Sequence, residues 1–246
     1  MSLNLLPYNN IDLKTNRILE QLTLSSRALA ELKGYANTIP QGEKEIRNYL
    51  KNLEDFINNN DDGIDPLIKV CLIHYQFESI HPFYDGNGRT GRILNILYLV
   101  LNNLIDSPIL YLSKYINKTK QEYYKLFNEV RENNNFEEWI LYILKGIEIT
   151  SKETIELIKN IQNEMMEYKK EFKEKLPKIY SKELLESLFY EVYTKISYIE
   201  KACNVTRITA TSYLNQLEDA ELLVSEKIGR EKIYKNVRLT ELLASN

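Results

Sequence analysis

The sequence predicts a mainly α protein, a helical bundle followed by a small domain of three helices and a hairpin. Three observations carry that reading. Apolar residues recur at helical spacing through most of the chain up to Pro177. Two helices flanking a polar, glycine-bearing loop are rich in apolar residues, as central members of a bundle are. After Pro177 the pattern changes to short helices and then two β-rich pieces.

Composition sets the outer limits. The chain has 246 residues, 43% hydrophobic and 27% charged, which is enough for a core without disulfide or metal staples. With 32 Lys+Arg against 35 Asp+Glu the net charge is −3, so no general pull toward nucleic acid or anionic membrane is expected. Cys71 and Cys203 lack metal-like spacing, which points to free thiols in a reducing, cytoplasmic setting. Two histidines, His74 and His81, exclude a histidine-rich metal site. No basic residue precedes an apolar stretch in Met1 to Asn10, so no secretory signal is read there. The longest apolar run, Ile93 to Ile105, is interrupted by three asparagines. It falls short of the roughly 20 residues a membrane span needs, and no membrane partner is expected.

The elements follow in order. Ile11 to Ala36 places Ile18, Leu22, Leu29, Leu32 and Ala36 on one helical face. A helix from Glu43 stops at the polar run Asn58 to Gly63. Asp65-Pro66 reads as an N-cap and a proline at the first helical position, opening a helix to Ile80. That helix ends before Pro82. Phe83 to Gly88 is a loop, and Arg89 to about Asn103 the next helix. Helices are expected at Lys118 to Glu132, Phe136 to Gly146 and Ser151 to Leu176, with Glu167 to Lys178 a solvated helix end or linker. Beyond Pro177 come helices at Ser181 to Thr194, Ile196 to Cys203 and Thr206 to Ala220, then β pieces at Leu222 to Ser225 and Lys232 to Lys235. This is the outline of a winged helix-turn-helix. Three segments result: 1–40, an N-terminal helical segment; 41–177, the core; and 178–246, the winged domain.

The stretch with chemistry is His81-Pro82-Phe83-Tyr84-Asp85-Gly86-Asn87-Gly88-Arg89-Thr90-Gly91-Arg92. Gly86 and Gly88 permit positive φ and Asn87 tolerates it, so their amides can form an anion-binding nest. The nest runs into a helix N-terminus, which also favours phosphate. Arg89 and Arg92, three apart, can face one anion with forked donors. Asp85 is a hard oxygen ligand suited to Mg²⁺ beside phosphates. His81 supplies the side-chain type that takes and returns protons near neutral pH. The combination describes a nucleotide phosphate site with a general base.

This stretch resembles the signature of the Fic family, His-x-Phe-x-(Asp/Glu)-Gly-Asn-Gly-Arg-x-x-Arg, at all eight fixed positions. The similarity covers about Glu43 to Met165, including Ile109 to Ile116 and Gln121 to Arg131, with a further likeness at Arg27 to Pro40. The resemblance implies a Fic-type helical bundle core and a protein adenylyltransferase, which moves AMP from ATP to a Ser, Thr or Tyr hydroxyl of a target protein and releases pyrophosphate. It implies that His81 deprotonates the hydroxyl, that Asp85 holds Mg²⁺, and that Gly86, Asn87 and Gly88 donate to the phosphates. It further implies that Arg89 and Arg92 neutralise phosphate charge, that Phe83 anchors the loop in the core, and that Tyr123 and Tyr124 lie near the adenine.

Two features depart from the family. Its self-inhibitory pattern, (Ser/Thr)-x-x-x-Glu-(Gly/Asn), is missing: Ser187 precedes Glu191 at the right spacing, but Val192 follows. Tyr35 to Gly42 replaces a longer stretch that holds the inhibitory helix and a target-aligning flap in relatives, which looks like an internal deletion.

The winged tail opens a competing function, a DNA- or protein-binding regulator with a degenerate Fic-like core. Thr206, Arg207, Thr209, Thr211, Ser212, Asn215 and Gln216 sit where a recognition helix belongs. Residues 180–246 hold 9 Lys+Arg and 10 Asp+Glu, a net of −1, which argues against strong non-specific DNA binding. Contact with DNA or with protein through this domain stays open at this point, as does a homodimer.

Overall fold

The structure, a computed structural model, describes residues 42–229 and 231–244. The helix expected over Ile11 to Ala36, the segment 1–40 and most of the Tyr35–Gly42 connection lie outside the described residues. The chain divides into two compact units, the first ending at Thr154 and the second starting at Ile155. The division falls inside a continuous helix, whereas the change of sequence pattern comes after Pro177.

The first unit is built on α1 (Glu43–Asn58), α2 (Pro66–Ile80), α3 (Asn87–Leu101), α4 (Leu112–Lys118), α5 (Lys120–Asn133) and the start of α6 (Phe136–Lys175). In α2, twelve of fifteen residues are buried, as its apolar composition requires. The Asp65 side chain accepts a hydrogen bond from the Leu67 amide at 2.8 Å, a cap worth about 1 kcal/mol. The helix ends where His81 turns into the left-handed region, φ 49° and ψ 56°, because Pro82 disfavours a helical predecessor. Trp139 of α6 is fully buried and donates from Nε1 to the Cys71 carbonyl at 3.0 Å. Phe127, Phe136 and Trp139 pack ring to ring around Tyr75, and Phe127 also meets Trp139. Lys69 is buried but paired with Asp62 at 2.5 Å, which offsets its desolvation.

The second unit contains the end of α6, then α7 (Lys182–Tyr190), β1 (Tyr193–Thr194), α8 (Ile196–Cys203), α9 (Arg207–Asp219), β2 (Val224–Ile228), β3 (Glu231–Lys235) and α10 (Val237–Ala244). The strands form an antiparallel sheet in the order β1-β3-β2, with Thr194 opposite Tyr234 and Ser225 opposite Tyr234 on its two sides. Its core gathers Leu184, Leu185 and Leu188 of α7, Ile199 of α8, Ala210, Leu214 and Leu217 of α9, and Tyr234 of β3. Ser181 and Thr206 cap α7 and α9 by accepting from the Leu184 and Thr209 amides.

Several expectations need correction. The helices expected at Phe136 to Gly146 and Ser151 to Leu176 are one helix, α6. The Lys- and Glu-rich stretch after Glu167 is no mere solvated end, since Tyr168 and Phe172 are fully buried in the second core. The helix expected over Lys118 to Glu132 is α5, and the short helix α4 before it was not anticipated. The helix expected to reach Thr194 stops at Tyr190, and Thr194 lies in β1. Helix α10 was not anticipated. Both cysteines are free thiols, as expected, with Cys71 buried. Among the described residues no helix is long and apolar enough to cross a membrane.

Gly146 does not break α6 because packing needs it there. A Cβ at Gly146 would meet the Tyr115 ring at 2.6 Å and Leu112 at 3.0 Å, so α4 lies directly on the helix. Gly146→Val should therefore force α4 outward and lower unfolding free energy by about 1–3 kcal/mol. Urea denaturation of parent and variant measures it, and an unchanged midpoint would show that α4 yields freely.

Candidate functional site

A cleft of about 390 Å³ opens in the first unit where α2 hands over to α3. Its wall includes His81, Asp85, Gly86, Gly88, Arg89 and Arg92. The opposite side carries Tyr123 and Tyr124 of α5. Asn87 lies behind the wall, 2% exposed. The residues singled out in the sequence thus come together at one place.

The loop is held by Asn87. Its Nδ2 donates to the Phe83 carbonyl at 2.6 Å, and its Oδ1 accepts from the Phe83 amide at 2.9 Å. This clasp closes the turn without help from the Phe83 ring. Phe83 is half exposed and touches the core only through a 6.4 Å ring contact with Phe77, so its expected role as a buried anchor is not seen. The nest is also simpler than expected. Gly86 takes φ 86° and ψ 6° as the N-cap of α3, and Asn87 and Gly88 are its first helical residues. What faces the cleft is a helix N-terminus with unshared amides, and α3 begins two residues before the expected Arg89.

The charges are arranged for exchange. Asp85 accepts from Arg89 at 2.9 Å, with both side chains largely exposed. Such a surface pair is worth little and opens readily. Arg92 donates from Nε to Ser113 Oγ of α4 at 2.7 Å, a neutral partner. Gly88 keeps the approach clear, since a Cβ there would lie 3.1 Å from Arg92 Nη1. An anion at the α3 N-terminus would meet both guanidinium groups.

Mg²⁺ fits this site as a partner of bound phosphate. Among the described residues no group of three or more His, Cys, Asp and Glu could cage a metal. Asp85 alone offers an exposed carboxylate on the cleft wall, with Oδ1 clear of the Arg89 contact. Mg²⁺ commonly takes one or two carboxylates plus phosphate oxygens.

On the aromatic side Tyr123 is buried and Tyr124 about half exposed, with their rings 5.4 Å apart edge to face. Tyr123 Oη shares a 3.1 Å hydrogen bond with His74 Nε2. Burial, with Arg92 nearby, pushes His74 down to about 3, so this imidazole is neutral.

Sequence reasoning missed Glu78, which also lines the cleft. It sits on α2 against Gly91 of α3, where a Cβ would lie 2.5 Å from Glu78 Oε1. Oε1 is shut off from solvent and has no hydrogen-bond partner. Burial raises this carboxyl to about 7, against the opposing pull of Arg92. Helix α2 also holds Lys69, His74, Gln76 and Ser79, so nothing in the sequence set this glutamate apart. Because the folded value lies above the ordinary 4.5, folding takes up a proton. The associated stability is fully present below about 4.5 and is lost as pH rises to about 7. Glu78→Gln should flatten that decline in urea-unfolding free energy, and an equally steep decline in the variant would move the titration elsewhere.

Residues 13–99 match the Fic/DOC family model. Residues 165–239 match a second model, described as protein adenylyltransferase SoFic-like, C-terminal domain. The chain is similar to a probable protein adenylyltransferase of Aquifex aeolicus, 37% identical over 76 residues, covering 31% of this chain and 23% of the relative. It is similar to protein adenylyltransferase fic-1 of Caenorhabditis elegans, 27% identical over 130 residues, covering 52% and 24%. A third relative, protein adenylyltransferase Fic of Drosophila willistoni, is 37% identical over 57 residues, covering 23% and 11%. The matched stretches span under a quarter of the length of these curated relatives. A crystal structure of a Fic family protein from Desulfovibrio desulfuricans G20 aligns with TM-score 0.42 at 19% identity, over 78% of this chain and 55% of that one. The motif His81–Arg92 lies inside the first matched segment, and the sheet of the second unit inside the other. Residues 13–99 thus match a Fic/DOC family domain, and residues 165–239 a C-terminal domain of the SoFic-like type.

Proposed function

We propose that the first unit transfers AMP from ATP to a hydroxyl of a protein. The observation that carries this reading is the convergence of His81, Asp85, Arg89 and Arg92 on one cleft at the N-terminus of α3. The naming of the relatives as protein adenylyltransferases supports it.

In this reading the phosphates of ATP lie against the amides of Gly86, Asn87 and Gly88 and between the two guanidinium groups. Arg89 gives up its exposed bond to Asp85, which frees that carboxylate for Mg²⁺. The metal, when bound, neutralises phosphate charge. Tyr123 and Tyr124 offer the base an aromatic edge. His81 takes the proton of a Ser, Thr or Tyr hydroxyl. The hydroxyl oxygen bonds to the α-phosphorus as the bond to the β-phosphate bridging oxygen breaks, and pyrophosphate leaves. The protein contributes positioning and charge stabilisation, as in other phosphoryl transfers. His81 is exposed at the end of α2, where a protein substrate can reach it.

The second unit supports a winged helix-turn-helix reading. Helices α7, α8 and α9 precede the β2–β3 hairpin, and in this reading α9 is the recognition helix. Its exposed face carries Arg207 as its single cation, beside an Ile208 that is 84% exposed. Such a face suits contact with a protein better than contact with a phosphate backbone.

Two measurements test these readings. With Mg²⁺ and α-labelled ATP the chain should label itself or a lysate protein, and His81→Ala should lose at least about 10²-fold of that rate, the usual contribution of a general base. Equal labelling by the variant would remove His81 from the role. In gel-shift titration of the full chain, random-sequence duplex should not bind at sub-micromolar concentration at physiological salt. Tight binding with a steep salt slope would favour the regulator reading.

A further inference from the structure

Glu78 has no part in the transfer chemistry above, yet its carboxyl lines the same cleft as both arginines. It is wedged against Gly91, the residue immediately before Arg92, and its Oε1 is enclosed and without a hydrogen-bond partner. The groups that face it are His74 of α2, Arg92 of α3 and Tyr123 of α5. His81, Asp85, Arg89, Lys120, Tyr124 and Arg131 complete the charged or titratable wall of the cleft. His74 is neutral, and the Tyr123 hydroxyl is held far above its ordinary titration range by burial. Arg92 is thus the charge that acts on this carboxyl, and its own hydrogen bond goes to Ser113.

We propose that Glu78 is a positioning residue acting through Arg92, such that nucleotide phosphates enter the cleft together with a proton on Glu78. The inference rests on the nucleotide reading of the cleft. A carboxylate at this position competes with phosphate for the Arg92 guanidinium and repels the phosphate as well. A neutral carboxyl does neither. Conversely, phosphate bound to Arg92 cancels the one field that favours ionised Glu78, so binding drives proton uptake. The raised titration of the empty-site carboxyl, to about 7, puts this exchange within the physiological range.

The test is calorimetry of ATP with Mg²⁺ binding to the full chain between about pH 6 and about pH 8.5, in two buffers of different ionisation enthalpy. Above about pH 7 the affinity of the parent should fall by up to about tenfold per pH unit, with buffer-dependent heat that reports proton uptake. Glu78→Gln keeps the shape and removes the titration. It should bind with a much flatter pH profile and a smaller uptake, and its affinity above pH 7 should exceed that of the parent. His81 is present in both proteins, so their difference isolates Glu78. Identical profiles and uptake in the two would overturn the proposal while leaving the nucleotide reading intact. No binding at any pH would overturn that reading and this proposal with it. Should Glu78→Gln fail to fold, infrared spectra of the parent with ¹³C-labelled glutamate decide the matter. A protonated-carboxyl band that grows when ATP is added near pH 7.5 supports the proposal, and a band that does not change overturns it.

Discussion

The close approach of α2 and α3 at Gly91 is the constraint on which the site depends. A side chain there would strike Glu78 Oε1 at 2.5 Å, Phe77 at 3.2 Å and His74 Nδ1 at 3.4 Å. Without a Cβ, the start of α3 settles onto α2 and Arg92 reaches the cleft one residue further along. His81 closes α2 in a left-handed conformation and Asn87 clasps the backbone of Phe83. The turn between the helices is therefore fixed at both ends by local chemistry. His81 and the N-terminus of α3 line one cleft because the chain has little other way to travel from Ile80 to Gly88.

That same packing encloses polar groups that water would otherwise satisfy. His74 stays neutral and answers Tyr123, which joins the aromatic wall to α2. Glu78 keeps an oxygen without a partner, a desolvation cost of about 1–3 kcal/mol. Arg92 rests on a hydroxyl, and Arg89 on a carboxylate that is almost fully in solvent. Neither arginine is locked in a buried ion pair, whose rupture would cost several kcal/mol. The positive end of the cleft is thereby kept available for an anion.

What was legible in the sequence was whatever is determined locally. Asp65-Pro66 and His81-Pro82 mark helix ends through caps and backbone sterics, and both ends stand where those signals put them. The motif residues gather as expected because they occupy one turn and the helix it opens. Contacts between distant segments were not legible. Gly146 reads as a helix stop until Tyr115 is known to lie against it. Tyr168 and Phe172 are masked by the lysines and glutamates around them, although their spacing of four puts both on one helical face. Glu78 looks like any helical glutamate until Gly91 is placed opposite. Phe83 shows the reverse error: an aromatic in a motif suggests an anchor, while the hydrogen bonds of Asn87 do the fixing.

The second unit poses a different energetic problem from the first. Tyr168 and Phe172 of α6 complete a core that α7, α8 and α9 would leave short of large side chains, and Tyr168 Oη ties into the Leu222 carbonyl at 2.9 Å. Several of its charges are paired within the unit: Lys232 with Glu218, Lys195 with Glu231, and Lys235 with Glu226. Lysines on β3 and before α8 that could meet a phosphate backbone are thus already answered by carboxylates. Counter-ion release, the main source of generic nucleic-acid affinity, has little to draw on at this surface. The exposed face of α9 offers hydroxyl and amide side chains, Arg207 and Ile208, a surface that suits a partner with a matching shape and an apolar contact better than a uniform negative charge.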